Sequence, residues 1–255
     1  MPFASQFLRG PFDLLHYSVL GPLLDRKHIL IACMPKSGST YLSNAVSRLP
    51  DFRKATLVQS YGRSEQELSH AQALRKHRYN YVAQHHVKYN DNTEFVLRKF
   101  NVAPVVLVRN IFDCVASIRD HIRNESVMSP TAWFDEEMRE FDDDQLSSMI
   151  AQLVIPWYIH FYVSWTHCPD ALLLTYENAF ADLSGTVARI GEHAGLTLPA
   201  STIKNSLEVK TNKPDRFNFG VSGRGAALNE ATKNTIRQYA TYYPHVDFAP
   251  IGITS

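Results

Sequence analysis

The sequence predicts an α/β fold: a single domain with a central parallel sheet flanked by helices. Three observations carry this. Residues 28–34 (HILIACM), 103–108 (APVVLV) and 171–175 (ALLLT) are short runs of unbroken apolarity, the pattern of strands covered on both faces. Each run ends in a polar turn: Pro35 to Ser39, Arg109-Asn110, and Tyr176-Glu177-Asn178. A helical stretch follows each turn, over 40–49, to about Arg123, and to about Ala194. Strand, polar turn and helix, repeated, make the βαβ rhythm of a doubly wound sheet, whose ligands bind at the carboxyl ends of the strands.

Composition removes several other classes. The 255 residues suffice for one large α/β domain or two small ones. Lys plus Arg is 26 against 25 Asp plus Glu, a net charge of +1, without the basic excess of a nucleic-acid coat. At 45% hydrophobic and 20% charged, the chain is not globally disordered. Cys33, Cys114 and Cys168 include no CxxC pair. A disulfide framework and a zinc ribbon are therefore not expected, and a reducing, cytoplasmic compartment is.

The remaining segments follow in order. Residues 14–24 are apolar but broken by His16 and Gly21-Pro22 and followed by Asp25, Arg26 and Lys27. They read as a packed N-terminal helix or lead-in, with membrane contact as the alternative. Residues 80–88 (NYVAQHHVK) are strand-like and end in polar groups. Residues 135–144 hold seven acidic side chains and read as a solvated loop or helix start, without the pattern of a calcium loop. Residues 146–165 have the length of a membrane span. Gln152, Pro156 and His160 interrupt them, and Trp157, Phe161 and Trp165 recur every four residues as one stripe. A buried helix is expected there, and no membrane span. Trp133, Phe134, Trp157 and Tyr158 suit core packing or stacking on a ring-shaped ligand.

The sharpest feature is residues 34–40, Met-Pro-Lys-Ser-Gly-Ser-Thr. It reads as an anion cradle of P-loop nucleotide-binding type. Gly38 permits a tight turn and close backbone approach, and the amides of residues 37–40 point from a helix N-terminus. Lys36 adds charge, and Ser37, Ser39 and Thr40 add hydroxyls. The plainer alternative is a strand–helix turn with capping Ser and Thr. A Walker A loop places Lys after the last Gly, whereas Lys36 precedes Gly38. The second strand ends in Val108-Arg109-Asn110, with Asp113 already inside the next helix, so the Walker-B carboxylate of magnesium-dependent phosphoryl transfer is also missing.

These segments together resemble a family. Pro35 to Leu42 (PKSGSTYL) resembles the 5′-phosphosulfate loop of sulfotransferases that use 3′-phosphoadenosine-5′-phosphosulfate (PAPS). Val106 to Ser117 (VLVRNIFDCVAS) is similar to their 3′-phosphate segment, which implies that Arg109 and Ser117, eight residues apart, hold the 3′-phosphate. Leu174 to Asn178 resembles their Tyr-Glu-Asp turn, which places Tyr176 by the adenine. Residues 216–225 (RFNFGVSGRG) resemble a late Gly-x-x-Gly loop that closes over the 3′-phosphate, implicating Gly220, Gly223 and Arg224. Asn218, Phe219 and Ala226 depart from the family pattern there, and a flexible loop before a helix at about 228–242 is the alternative.

The resemblance implies sulfuryl transfer from PAPS, with 3′-phosphoadenosine 5′-phosphate (PAP) as product, to a hydroxyl or amine of a carbohydrate, lipid or small-molecule acceptor, with no metal. Lys36 and the loop amides would support the transferring group. Against the family's Lys-Thr-His, the residues Gln84-His85-His86 place His86 as general base, 23 residues before Arg109. His85 and a non-catalytic pair stay open, and Gln84 removes one cationic helper. The domain is expected to comprise a lead-in over 1–27, a cofactor-binding core over 28–225, and a C-terminal helix and tail over 226–255. The competing functions are a nucleotide-dependent phosphotransferase with a variant loop and a non-catalytic nucleotide-binding scaffold.

Overall fold

Alternate residues of the first strand go to opposite cores. Ile29, Ile31 and Cys33 belong to one buried cluster, and Leu30, Ala32 and Met34 to the other. This is why the run is apolar without a break. The computed structural model describes residues 9–20, 24–59, 67–127, 131–208 and 222–254. Five parallel strands form one sheet: β1 (His28–Cys33), β2 (Arg53–Ala55), β3 (Tyr81–His85), β4 (Val102–Val108) and β5 (Leu172–Thr175), in the order β2-β3-β1-β4-β5. In register, His28 lies beside Tyr81 and Val102, and Val108 beside Thr175.

Helices cover both faces. Against Leu30, Ala32 and Met34 pack helices that include α5 (Ile111–Asn124), α6 (Asp143–Leu153) and α7 (Ile155–Trp165). Against Ile29, Ile31 and Cys33 pack α2 (Ser39–Ser47), α9 (Leu183–His193) and α10 (Ala200–Leu207). The chain also forms α1 (Arg9–Leu15), α3 (His70–Lys76), α4 (Asp91–Lys99), α8 (Tyr176–Ala181) and α11 (Glu230–Thr241).

The expected helix over 146–165 is two helices, α6 and α7, bent by 40° at Val154, where Pro156 opens the second. Phe161 and Trp165 are buried, as their spacing requires, and Trp157 stacks on Phe161 at 5.3 Å. No single helix among the described residues is long and apolar enough to cross a membrane. The acidic stretch supplies a 3₁₀ turn, Glu136–Glu140, and then the start of α6, where Asp142 and Gln145 form a capping box. The helix expected after Tyr176 breaks at Asp182, whose carboxylate accepts from Gly185 N–H at 2.8 Å and caps α9. All three cysteines are buried and outside disulfides.

Candidate active site

The three turns that follow β1, β4 and β5 meet at the carboxyl edge of the sheet. Parallel neighbours in register deliver Cys33, Val108 and Thr175 to the same end. At the first turn, Lys36 has φ +63° and Gly38 φ +76°. A left-handed backbone is free for Gly38 but strained for Lys36. Gly38 is the N-cap of α2 and offers no side chain to its first amides. The uncapped N-terminus therefore presents N–H groups with no intrahelical acceptor, the electrostatic condition for an anion.

The three named hydroxyls are placed differently. Ser37 is buried and gives its only proton to the Met34 carbonyl at 2.6 Å, so its hydroxyl stabilises the turn. Ser39 Oγ accepts from Gln84 Nε2 at 2.9 Å, while Thr40 is exposed at the start of α2. Gln84 Oε1 also lies 3.3 Å from Ser43 Oγ, whose one proton is shared with the Thr40 carbonyl at 3.1 Å. The residue that stands where the family has Lys thus ties β3 to the first turns of α2. This tie was not legible in the sequence.

Arg109 closes the loop from below. It is 3% exposed, and its Nη1 donates to the Lys36 carbonyl at 3.0 Å. Its guanidinium carbon lies 4.4 Å from the centroid of the Tyr176 ring. Tyr176 is buried, its ring tilted by 32° against that of Phe180 at 4.5 Å, and the two rings face Gly38. A Cβ at Gly38 would sit 2.7 Å from Phe180 and 3.0 Å from Tyr176. Glu177 Oε1 accepts from the Asn110 N–H at 3.1 Å, linking the third turn to the second. The Tyr158 hydroxyl donates to the Pro35 carbonyl at 3.1 Å and anchors the first turn to α7. Arg109 Nε is buried and without a hydrogen-bond partner. A donor left unsatisfied on a buried cation is the group an incoming anion would complete.

Ser117 lies two turns into α5, half-buried. One turn further, His121 sits with Nδ1 3.1 Å from Glu125 Oε2. Burial, and then the Lys36 charge, lower its pKa. His121 is therefore near enough to Lys36 to feel its charge, and no sequence signal marked it.

The C-terminal glycine segment reaches the same helix. Asp113, 2% exposed, accepts from Gly223 N–H at 2.8 Å and from Gly225 N–H at 2.7 Å, one on each carboxylate oxygen. A Cβ on Gly225 would lie 2.3 Å from Phe112 Cβ, so the third glycine of the segment is required for contact. Arg224 pairs with Asp120 at 2.6 Å. Gly223 and Arg224 are thus brought to the side of α5 that carries Asp113 and Asp120, with the Arg224 charge already partnered. Gly220 lies outside the described residues.

The two histidines separate as adjacent strand residues should. His85 is buried and accepts from Leu57 N–H at Nε2, 2.9 Å away. Burial and then His86 lower its pKa to about 4, so it is held neutral. His86 donates from Nδ1 to the Cys33 carbonyl at 2.8 Å, with Cys33 Sγ 3.5 Å from the same nitrogen. Burial opposes its charge, but the Cys33 sulfur and carbonyl outweigh burial and push its pKa up to about 9. A ring held through Nδ1 carries its acceptor lone pair on Nε2 when neutral.

The family profile described as "Sulfotransferase domain" matches residues 26–216. The chain is a member of the sulfotransferase family. Its fold is similar to that of mouse sulfotransferase SULT7A1, solved with PAP, at a TM-score of 0.62 and 14% identity over 89% of this chain and 87% of that one. It is also similar to sulfotransferase STF1 from Mycobacterium tuberculosis, at a TM-score of 0.50 and 13% identity over 91% of this chain and 80% of that one. No curated protein sequence is significantly similar to the chain. Family membership makes the chain an enzyme of sulfuryl transfer. Among the described residues, no three His, Cys, Asp or Glu side chains gather as metal ligands.

Of the aromatics suited to core or ligand, Phe134 and Tyr158 are core, at 3% and 1% exposed, and Trp133 is 81% exposed.

Proposed function

We propose that this sulfotransferase takes its sulfuryl group from PAPS and passes it to a hydroxyl or amine of a carbohydrate, lipid or small-molecule acceptor. One observation carries the reading: the 3.0 Å bond from Arg109 to the Lys36 carbonyl joins the first and second turns into one cationic floor. Lys36 and the N–H groups of Ser37, Gly38, Ser39 and Thr40 would hold the 5′-phosphosulfate. Arg109 and Ser117 would hold the 3′-phosphate, with Tyr176 beneath Arg109 and with Gly220, Gly223 and Arg224 as the covering segment. The unsatisfied Arg109 Nε supports this assignment.

The donor supplies a sulfuryl group on a phosphate leaving group. The chain's part is to orient it, to remove the acceptor's proton and to stabilise the charge left on the departing phosphate. His86 Nε2 takes the proton as the acceptor oxygen or nitrogen bonds to sulfur. Lys36 and the α2 amides stabilise the phosphate oxygen as the S–O bond breaks. Magnesium-dependent phosphoryl transfer is a poorer fit, because Asp113 is buried at 2% exposure and committed to the Gly223 and Gly225 amides.

The test is thermal protection followed by transfer. PAP alone is expected to raise the melting temperature, and labelled PAPS to deliver its sulfuryl group to one class in a panel of saccharides, lipids and phenols. His86→Ala is expected to abolish delivery and keep PAP protection. Protection by ATP with magnesium only, or turnover unaffected by His86→Ala, would refute the assignment.

A further inference from the structure

Helix α1 and the turn after it are built inside out. Asp13 is buried at 6% exposure and lies 4.0 Å from Arg78, while Phe12, Leu15 and Val19 are 57%, 62% and 54% exposed. Their spacing of three and then four residues puts these apolar side chains on one outward stripe, with Leu14, 54% exposed, beside it. The segment packs on the domain through Tyr17 and through α1 against α3, and not by these apolar side chains. The polar residue faces the protein and the apolar ones face out.

The location is fixed by Tyr17. Its hydroxyl donates to the Lys99 carbonyl at 2.7 Å, and its ring sits 4.8 Å from His77 and 5.5 Å from Phe100. These residues border the amino ends of β1, β3 and β4, the pole opposite the candidate active site.

The surroundings are basic. Segments 70–80 and 95–104 carry Arg75, Lys76, Arg78, Arg98 and Lys99; Arg98 is paired with Glu94 at 2.8 Å and Arg78 lies 4.0 Å from Asp13, which leaves Arg75, Lys76 and Lys99 as the basic excess beside α1. Arg75 and Lys76 close α3, which packs on α1, and Lys99 Nζ lies 5.5 Å from the Tyr17 ring centroid. Apolar side chains within a cationic collar match an interface that is negative at its surface and apolar just beneath. A two-fold contact with a second copy would instead set this collar against itself. We propose that this pole docks on the surface of an anionic lipid bilayer, with Phe12, Leu15 and Val19 entering the headgroup boundary and the active site facing solvent.

The experiment is vesicle flotation of the full chain. Binding is expected to vesicles in which phosphatidylserine makes up about a third of the phosphatidylcholine bilayer, with little binding to phosphatidylcholine alone and release at molar salt. Leu15→Ser with Val19→Ser, and separately Arg75→Gln with Lys76→Gln, should each lower partition about tenfold. Circular dichroism should show both variants folded. Absence of flotation, or flotation that both variants leave unchanged, overturns the proposal. So does a concentration-dependent dimer in sedimentation that Leu15→Ser with Val19→Ser abolishes, which would assign the stripe to a second copy.

Discussion

Arg109 donates from Nη1 to the carbonyl of Lys36 at 3.0 Å, and Lys36 is the loop residue that holds a left-handed backbone without being glycine. The second turn thereby secures a conformation of the first that would otherwise be strained by about 1–3 kcal/mol. Lys retains charge at this position but loses the planar fork and the stacking on Tyr176. Arg109→Lys is therefore expected to weaken PAP binding by at least about tenfold, the value of one buried charged hydrogen bond. Calorimetric titration measures it.

Gly38 answers to two constraints, a φ of +76° and the rings of Phe180 and Tyr176 within 3.0 Å of any Cβ. Gly38→Ala should destabilise the fold by about 2–4 kcal/mol, combining strain and overpacking. Adding Phe180→Ala removes the clash but leaves the backbone strain. Gly38→Ala is then expected to be less harmful in that background, a non-additivity that denaturant unfolding detects.

The raised pKa of His86, about 9, sets the pH dependence of transfer. A general base acts when neutral, so kcat/KM should climb as pH rises toward about 9 and level off above it. A rise centred below 6.5 would instead indicate His121, whose pKa is lowered by burial and by Lys36. The pH–rate profile of wild type and His86→Ala separates the two.

His85 bears on stability. Its folded pKa, about 4, lies below the unfolded value of 6.5, so the unfolded chain binds the extra proton between them. Stability from this residue is complete above pH 6.5 and is lost as pH falls toward 4, by about 3 kcal/mol. His85→Gln, which keeps an acceptor for the Leu57 amide, should flatten the slope of unfolding free energy in that window.

Asp113 is expected to act as a positioning residue. Asn has one acceptor oxygen where Asp113 satisfies two amides, Gly223 and Gly225. Asp113→Asn should weaken PAP binding by about tenfold, since it loosens the segment beside α5. Asp113→Glu, which keeps two acceptor oxygens, should recover part of the loss. A purely structural role would lower the melting temperature and leave the affinity unchanged.

Much of this arrangement was legible locally. β1 and β4 announced themselves because burial on both faces removes polar residues from a strand, whereas β5, equally apolar in sequence, is an edge strand with Leu173 38% exposed. Lys36, Gly38, Arg109 and Tyr176 announced themselves because each stands at a strand end. β2 did not, since Arg53, Lys54 and Ala55 form a three-residue edge strand with two exposed basic side chains. The helix breaks at Val154 and Asp182 were hidden by continuous apolar periodicity, although Pro156 and the Asp182 cap cause them. Gln84 on Ser39, Glu177 on Asn110 and Asp113 on the glycine amides join residues 45, 67 and 110 or more positions apart. Only folding brings such pairs together.

The joint clasp by Lys36 and Arg109 is tested most directly by comparing PAP with adenosine 5′-monophosphate in calorimetric titrations. Wild type should bind PAP at one site and the monophosphate at least about a hundredfold more weakly, and Arg109→Lys should shrink that gap. Equal affinity for the two nucleotides would contradict the assignment of Arg109 to the 3′-phosphate and, with it, the reading of the site.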